Sequence, residues 1–315
     1  MSRSWACNVT ELRVLTLTRE ALRRLSRAEG RGRVHSAFDH ALNVEIGAAR
    51  GETWISLHTR RPIPSPFGLH CETRGAMTRW AGASVRVEGT RLVLGGALHL
   101  SWASAVVRDT ALPFAAPMPP LAACLARALG VGGAGLAPAV AAVLGQGGCE
   151  GQGGRGGSPS TPLAQMARPL LGRLGEATAA GDAEACLLAT QALLGLGPGL
   201  TPSGDDCVSG WLTGLVVGSS RGRQLAEGVR PRLLQRAPDR TGPLSVALLA
   251  AVIAGQVAEP VHRFVTRPDA RGLEGLLGLG ATSGADLLAG YLLARHALAG
   301  DRALEPAWTT ALAEP

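Results

Sequence analysis

Two hydrophobic patterns follow one another along this chain of 315 residues. From about residue 34 to residue 107, short stretches of alternating or β-branched residues are separated by Gly, Pro and charged residues, which is typical of strands joined by turns. From residue 161 onward, apolar residues recur at the spacing of helices with one buried face. The predicted fold class is therefore α+β, with a β-rich N-terminal domain followed by a mainly α-helical C-terminal domain.

These patterns place three segments along the chain. Residues 1–115 are expected to form an antiparallel β-rich domain that opens with a short strand and a helix. Residues 116–160 are expected to be a connection of two helices followed by a flexible Gly-rich linker, GQGGCEGQGGRGGSPS. Residues 161–315 form the predicted helical domain, with helices over 163–180, 182–194, 206–219, 223–237, 244–258, 272–278 and 286–299.

Composition and charge exclude several kinds of site. No lysine occurs, so all 31 basic residues are arginines, which excludes a Schiff-base lysine and a P-loop lysine. The net charge is +7, but the arginines are scattered and are not grouped with aromatic residues. This distribution favours a solvated arginine-rich surface over nucleic-acid binding, and it is compatible with small anionic substrates or acidic subunits.

The cysteines and the apolar segments indicate the cellular compartment of the protein. Six cysteines occur without a CxxC pair, and the N-terminus has no apolar stretch of the kind found in signal peptides. The apolar run from Leu244 to Ala258 is shorter than the roughly 20 residues that span a bilayer, so it predicts a buried helix. We expect a cytoplasmic protein that does not enter a membrane.

One short sequence occurs twice in the helical half. The stretch GLGPGLTPSGDD, residues 195–206, leads into an apolar helix, and the pattern Ser-Gly-x-Asp-x-x-x-Gly-aromatic at residues 203–211 recurs at residues 283–291. Each copy follows a loop rich in Gly and Leu and delivers Ser, Gly and Asp to the start of a helix. We call residues 195–211 the first corner and residues 275–291 the second corner.

The chemistry of a helix start makes these corners candidate sites. The first turn of a helix has unpaired N–H groups and a partial positive charge, so it can bind an anion or be capped by a small polar side chain. Capping alone is the alternative explanation for Ser203, Asp206, Ser283 and Asp286. The presence of two copies, with the additional Asp205, favours a ligand site in which the two corners face each other across a local pseudo-twofold axis.

The segment between the corners adds two further candidates. Ser245 and Glu259 are expected at the two ends of the predicted helix 244–258. Glu259 and the nearby His262 have side chains suited to general acid or base catalysis. A solvated helix C-terminus is the alternative explanation for them.

These residues resemble a known family. GLGPGLTPSGDD, followed by TGPLS and TSGADLLAG, is similar to the third subunit of oxamate carbamoyltransferase. The resemblance covers most of the chain and is strongest in its C-terminal half. The sequence departs from the family pattern at Cys207, where an aromatic residue is usual, and at Ala281, where a histidine is common.

The resemblance implies a role in the breakdown of allantoin and purine nitrogen. In that pathway, oxalurate is cleaved by phosphate to oxamate and carbamoyl phosphate. The resemblance also implies an assembly with other carbamoyltransferase subunits, one of which is similar to acyl-CoA synthetases. The implied ligands are small anions, namely oxalurate and phosphate.

Such a transfer needs a bound phosphate, a polarised carbonyl and acceptors for an NH₂ group. The candidate catalytic residues are Asp205, Asp206 and Glu259. The candidate substrate-binding residues offer hydroxyl groups, open backbone or a carboxylate, and they are Thr201, Ser203, Gly204, Ser245, Ser283, Gly284 and Asp286. The sequence leaves any metal or cofactor open, with Mg²⁺ held by aspartates as one alternative.

Two other functions also agree with these residues. In the first, the chain is a non-catalytic scaffold of the same assembly, and its helices dock the other subunits. In the second, it is a metal-dependent hydrolase of an amide or a ureide that uses Asp205, Asp206 and Glu259. The scaffold predicts no binding of small anions by the isolated chain, and the hydrolase predicts activity that a chelator abolishes.

Overall fold

The computed structural model describes residues 9–28, 30–47, 53–73, 75–131, 135–145 and 161–299. All but the first residue of the predicted Gly-rich linker lies outside these ranges. The chain divides into two compact units. The first unit is Met1–Thr110 with Gln256–Glu259, and the second is Ala111–Gly255 with Pro260–Pro315.

Strands dominate the first unit, as the alternating pattern predicted. One helix, α1, covers Arg19–Leu25 and starts at Thr18, whose hydroxyl accepts a hydrogen bond from the N–H of Ala21. A short 3₁₀ helix covers Met77–Trp80. The strands are β1 (Thr10–Thr18), β2 (Arg31–Ala37), β3 (Ala41–Ile46), β4 (Thr53–His58), β5 (Gly68–Cys71), β6 (Ser84–Glu88), β7 (Arg91–Leu94), β8 (Leu98–Ser101) and β9 (Val106–Arg108).

The strands close into a barrel. Their order is β5-β4-β3-β2-β6-β7-β8-β1, and β1 also pairs with β5, while β9 pairs with β1. Alternate residues of these strands point inward and form one apolar core, as expected for a sheet with two different faces. Inward-pointing members of three neighbouring strands are Leu17, Leu57 and Leu69.

The prediction of an antiparallel sheet was wrong for part of the barrel. β1 pairs in parallel with β8 and with β9, and β4 pairs in parallel with β5. Short turns force an antiparallel arrangement only on strands that they join directly. β1 is far from β8 along the chain, and residues 59–67 connect β4 to β5, so neither pair is bound by that constraint.

The second unit is helical. Its helices are α2 (Leu121–Val131), α3 (Ala137–Val143), α4 (Pro162–Ala180), α5 (Ala183–Leu193), α6 (Ser203–Gly218), α7 (Ser220–Arg236), α8 (Pro243–Ile253), α9 (Glu259–Thr266), α10 (Ala270–Leu277) and α11 (Ser283–Ala299). The first residue of α9 belongs to the first unit. None of the helices in the described ranges is long and apolar enough to cross a membrane.

The predicted helix 244–258 is shorter in the structure. It ends at Ile253, because the chain turns at Gly255, whose φ of +76° lies in the left-handed region. Glu259 consequently does not end this helix but begins the next one, α9. The expected pairing of Ser245 and Glu259 at opposite ends of one helix was therefore wrong.

Candidate functional site

The helices of the two corners, α6 and α11, pack side by side. A Cβ atom on Gly210 would overlap the carbonyl oxygen of Leu287, and one on Gly290 would overlap that of Cys207, so only glycine fits at either position. The contacts continue from Gly214 with Tyr291 to Gly218 with Leu298. Because they advance in the same direction along both helices, α6 and α11 are parallel and their N-termini lie at the same end of the pair.

The same local geometry occurs at the start of each helix. A Cβ atom on Gly204 would overlap the carbonyl oxygen of Leu193, and one on Gly284 would overlap that of Leu276. These carbonyls belong to α5 and α10, the helices that precede the two corners. Each glycine thus lets the chain fold back tightly, which sets the first turn of its helix against the preceding one.

Ser203 and the two aspartates of the first corner lie inside the helix rather than at its cap. The N-cap residue of α6 is Pro202, which makes no side-chain capping hydrogen bond. Ser203 is the first residue of the helix, and Asp206 lies one turn further. Capping alone therefore does not account for Ser203 and Asp206.

Asp206 is buried, with 8% of its surface exposed, and its Oδ2 atom has no hydrogen-bond partner among the described residues. Burial raises the pKa of its carboxyl well above the usual range, and the charges of Asp286 and Asp205 raise it further. Hydrogen bonding from Ser283 and Thr201 acts in the opposite direction on this pKa. Asp206 thus faces the hydroxyl that begins the other helix.

Asp286 has the reciprocal arrangement in the second corner. It is fully buried, and its Oδ1 atom accepts a hydrogen bond of 2.6 Å from the backbone N–H of Leu136. Burial raises the pKa of this carboxyl, whereas the hydrogen bonds from Leu136, Ser203 and Thr282 lower it. Ser203 therefore faces Asp286 while Ser283 faces Asp206. We call these two crossed contacts the Ser–Asp pairs.

Asp205 has a different environment from Asp206. Its Oδ1 atom accepts a hydrogen bond of 2.7 Å from the backbone N–H of Gly195, and its Oδ2 atom accepts one from the hydroxyl of Thr241. Both oxygens are engaged within the protein, so Asp205 joins the loop before α6 to the segment before α8. The residue at the same place in the second corner is Ala285.

Two hydroxyl residues complete the first corner. The Oγ1 atom of Thr201 lies 3.4 Å from the Oγ atom of Ser283, which brings the loop of one corner to the helix of the other. Ser245 donates a hydrogen bond of 3.2 Å to the carbonyl of Leu200 and so supports this loop from α8.

Glu259 lies in the first unit and interacts with the loop between β4 and β5. Its Oε2 atom accepts a hydrogen bond of 3.1 Å from the N–H of Ile63, and its own N–H donates to the carbonyl of Ile63 at 3.2 Å. Its charge also acts on the His70 imidazole. Glu259 holds this loop in place.

The described residues contain no group of three or more His, Cys, Asp or Glu side chains placed to hold a metal ion. A cavity of about 620 Å³ lies in the second unit, between α3, α4 and α11. Its lining residues include Arg168, Glu176 and His296 but none of the Ser–Asp pairs. The polar groups of the corners therefore lie outside this cavity.

Sequence reasoning missed several residues that hold the corners. The N–H of Leu136 binds Asp286, and the preceding Gly135 allows this approach, because a Cβ atom there would overlap the carboxylate. Both precede α3 and are far from α11 along the chain, so no local pattern relates them. Thr241 belongs to the TGPLS string, which is one of the strings on which the family resemblance rests.

Comparison with protein families agrees with the division into two parts. The model of the AllH family N-terminal domain matches residues 13–107, which contain most of the barrel. The model described as oxamate carbamoyltransferase subunit AllH matches residues 193–295, which contain both corners. No solved structure matches the chain. Since the two models together cover most of the sequence, the chain belongs to the family of the AllH subunit of oxamate carbamoyltransferase.

Proposed function

We propose that the two corners form the reacting centre of the carbamoyltransferase, at which the carbamoyl group of oxalurate passes to phosphate. The products of this reaction are oxamate and carbamoyl phosphate. The observation that carries the proposal is the pair of parallel helices, α6 and α11, with N-termini at the same end and crossed Ser–Asp pairs between them.

The helix N-termini supply the electrostatics for an anion. The first turn of each helix carries a partial positive charge, and two parallel helices add these charges at one place. The N–H groups of Gly204 and Gly284 already donate to the carbonyls of Leu196 and Leu279, so the attraction for an anion comes from this partial charge. The hydroxyls of Ser203, Ser283 and Thr201 lie at the same place and interact with Asp286 and Asp206, so a substrate would compete with these carboxyls for them.

Asp206 supplies the proton. In the reaction, a phosphate oxygen forms a bond to the carbamoyl carbon, and the bond between that carbon and the oxamate nitrogen breaks. The leaving nitrogen needs a proton, and burial raises the pKa of the Asp206 carboxyl, which favours the protonated form that can donate it. Hydrogen phosphate gives up its own proton to the Asp206 carboxylate, so the residue returns to its starting state.

Asp286 and Asp205 act on the reaction through Asp206. The charge of each raises the pKa of the Asp206 carboxyl, which keeps the proton available for transfer. The bonds of Asp286 to Leu136 and of Asp205 to Gly195 keep these two carboxylates in place. We therefore assign positioning roles to Asp286 and Asp205.

The reaction takes place in an assembly. A family of carbamoyltransferase subunits implies other subunits. We propose that one of them is the protein similar to acyl-CoA synthetases, and that the complex works in the cytoplasm on allantoin-derived oxalurate. The isolated chain then binds small anions but needs its partners for turnover.

Asp206→Asn in the reconstituted assembly tests the proposal. The substitution keeps the size of the side chain but removes the transferable proton, so we expect phosphate-dependent cleavage of oxalurate to fall at least 100-fold, or about 2.7 kcal/mol. Carbamoyl phosphate formation is the measurement. The melting temperature should be equal to or above that of the wild type, because an amide has no charge to bury.

Asp182→Asn is the matched control. Asp182 caps α5 by accepting a hydrogen bond of 3.0 Å from the N–H of Ala185, and asparagine caps a helix about as well as aspartate. This variant should keep its activity and its stability. Turnover of Asp206→Asn within threefold of the wild type would contradict the proposal and favour the scaffold function.

A further inference from the structure

One face of the second unit, apart from the corners, carries an exposed leucine between two grooves. Leu188, on α5, is 60% exposed, whereas the neighbouring Leu187 is 2% exposed. A groove of about 420 Å³ lies between α4 and α5, and another of about 480 Å³ lies between α5 and α7. Leu188 lines both of them, so it forms a ridge between the α4–α5 groove and the α5–α7 groove.

The α4–α5 groove has room for an apolar side chain. Small residues of both helices line it, namely Ala177, Ala180, Ala185, Ala189 and Ala192. Their methyl groups leave space for a branched side chain and offer it apolar surface to contact. This face therefore has a protruding leucine and, beside it, a recess that suits a leucine.

The two grooves differ in charge. The charged residues that line the α4–α5 groove are Arg173, Glu176 and Asp182, and those that line the α5–α7 groove are Arg232, Arg236, Arg240, Glu184 and Asp239. One arginine and two acids give the first groove a net charge of −1, and three arginines and two acids give the second a net charge of +1. Arg232 is paired with Glu184, but neither Glu176 nor Arg236 has an ion-pair partner in the part of the chain that the structure describes.

Such a face is complementary to itself. A contact between two identical subunits usually has twofold symmetry, which places the same surface of both copies together. That surface must hold both members of every contact, namely a protrusion with its recess and both signs of charge. Leu188 and the α4–α5 groove provide the first pair, and the two grooves of opposite charge provide the second.

We propose that this face is the interface of a homodimer. Leu188 of each copy inserts into the α4–α5 groove of the other, and α4 of each copy then lies over the α5–α7 groove of the other. Glu176, which is exposed on α4, comes to face Arg236, and this contact between opposite charges occurs twice in the dimer. The interface contains no residue of the Ser–Asp pairs, so it is independent of the reaction proposed for the corners.

Sedimentation equilibrium of the full chain without other subunits tests the proposal. The wild type should be a dimer at micromolar concentration. Leu188→Arg places a charge in the apolar recess and should raise the Kd of the dimer at least tenfold. Val131→Arg is the control, because Val131 is 56% exposed on a helix of the same unit but lines neither groove. It should leave the Kd within twofold of the wild type.

Exchange of the charges at Glu176 and Arg236 gives a more specific test. Glu176→Arg and Arg236→Glu each bring like charges together, so each should raise the Kd of the dimer at least tenfold at low ionic strength. The double variant restores opposite charges and should dimerise within threefold of the wild type. Both residues are exposed, so circular dichroism should show the same fold in all these variants.

The proposal is overturned if the wild type is monomeric at micromolar concentration, if Leu188→Arg dimerises as the wild type does, or if the double variant does not regain the dimer. A monomeric wild type whose Leu188→Arg variant no longer co-purifies with the other subunits of the assembly would instead assign this face to a different subunit.

Discussion

The first and second corners share one sequence pattern but differ in how their acids are held. In the second corner, Asp286 is anchored by the N–H of Leu136. In the first corner, Asp206 has no such backbone donor, whereas the Oδ2 atoms of both acids lack a hydrogen-bond partner among the described residues. The additional Asp205 is tied to the backbone of Gly195 instead. The repeated pattern thus produces one acid that a backbone N–H holds and one acid that only side-chain hydroxyls contact.

The two corners are therefore alike in their packing but differ in the surroundings of their acids. The glycines serve the same purpose in both corners, since each permits a backbone contact that no other residue allows. The acids diverge because their surroundings diverge. A repeat of sequence therefore predicts equal packing, but it does not predict equal pKa values.

The largest expected effect is on packing. In Gly210→Ala or Gly290→Ala, the new Cβ atom would overlap a carbonyl oxygen of the facing helix, so α6 and α11 must separate. We expect each variant to lose about 3 kcal/mol or more of unfolding free energy, at the upper end of what overpacking costs. Urea unfolding of the full chain is the measurement.

Gly275→Ala in α10 is the control, because a Cβ atom there meets nothing within 4 Å. Alanine in a helix interior is more stable than glycine by about 0.5–1 kcal/mol, so this variant should gain stability. If Gly210→Ala is destabilising and Gly290→Ala is not, the equivalence of the two corners in packing is wrong.

An intermediate effect is expected at Asp205, the residue that only the first corner has. Asp205→Ala gives the first corner the residue that the second corner has at Ala285. It leaves the N–H of Gly195 and the hydroxyl of Thr241 without their acceptor, which costs about 1–3 kcal/mol. Thermal unfolding measures the loss. Asp239→Ala is the control, because Asp239 is a nearby exposed acid, and it should change the free energy of unfolding by less than about 0.5 kcal/mol. An equal loss of stability in both variants would argue against the anchoring role of Asp205.

The smallest effect is expected on the pH dependence of stability. The folded state raises the pKa of Asp206, so it binds a proton more tightly than the unfolded state does. The free energy of unfolding is therefore highest below the ordinary aspartate pKa of about 4. As pH rises from there toward the pKa of Asp206 in the folded state, it falls by at most about 1.4 kcal/mol per pH unit. Asp206→Asn cannot titrate, so its stability should fall less steeply over that window.

Unfolding free energies measured at intervals from pH 4 upward test this prediction. The slope of the variant should be smaller than that of the wild type but not zero, because burial also raises the pKa of Asp286. Identical slopes in the wild type and Asp206→Asn would show that Asp206 is already ionised in the folded protein. The predicted rise in the pKa of Asp206 would then be wrong.

Much of the fold was predictable from local sequence. The alternation of residues in FDHALNVEIG and ETWISLHT predicted β3 and β4, and the helical spacing predicted α4, α5 and α7 within about three residues. The boundary at Gly255 was not predicted, because an apolar run continues through it. A left-handed glycine ends a helix without changing the hydrophobic pattern around it.

The sequence by itself determined the family, the α+β division and the two corners, because all of these are written in short-range patterns and in residue types. Only the tertiary structure decided that α6 and α11 are parallel, that Leu136 anchors Asp286, and that His58 and His70 lie side by side. Each of these contacts joins residues that are distant along the chain or depends on strand register. A pKa depends on burial and on neighbouring charges, and only the folded chain brings those together.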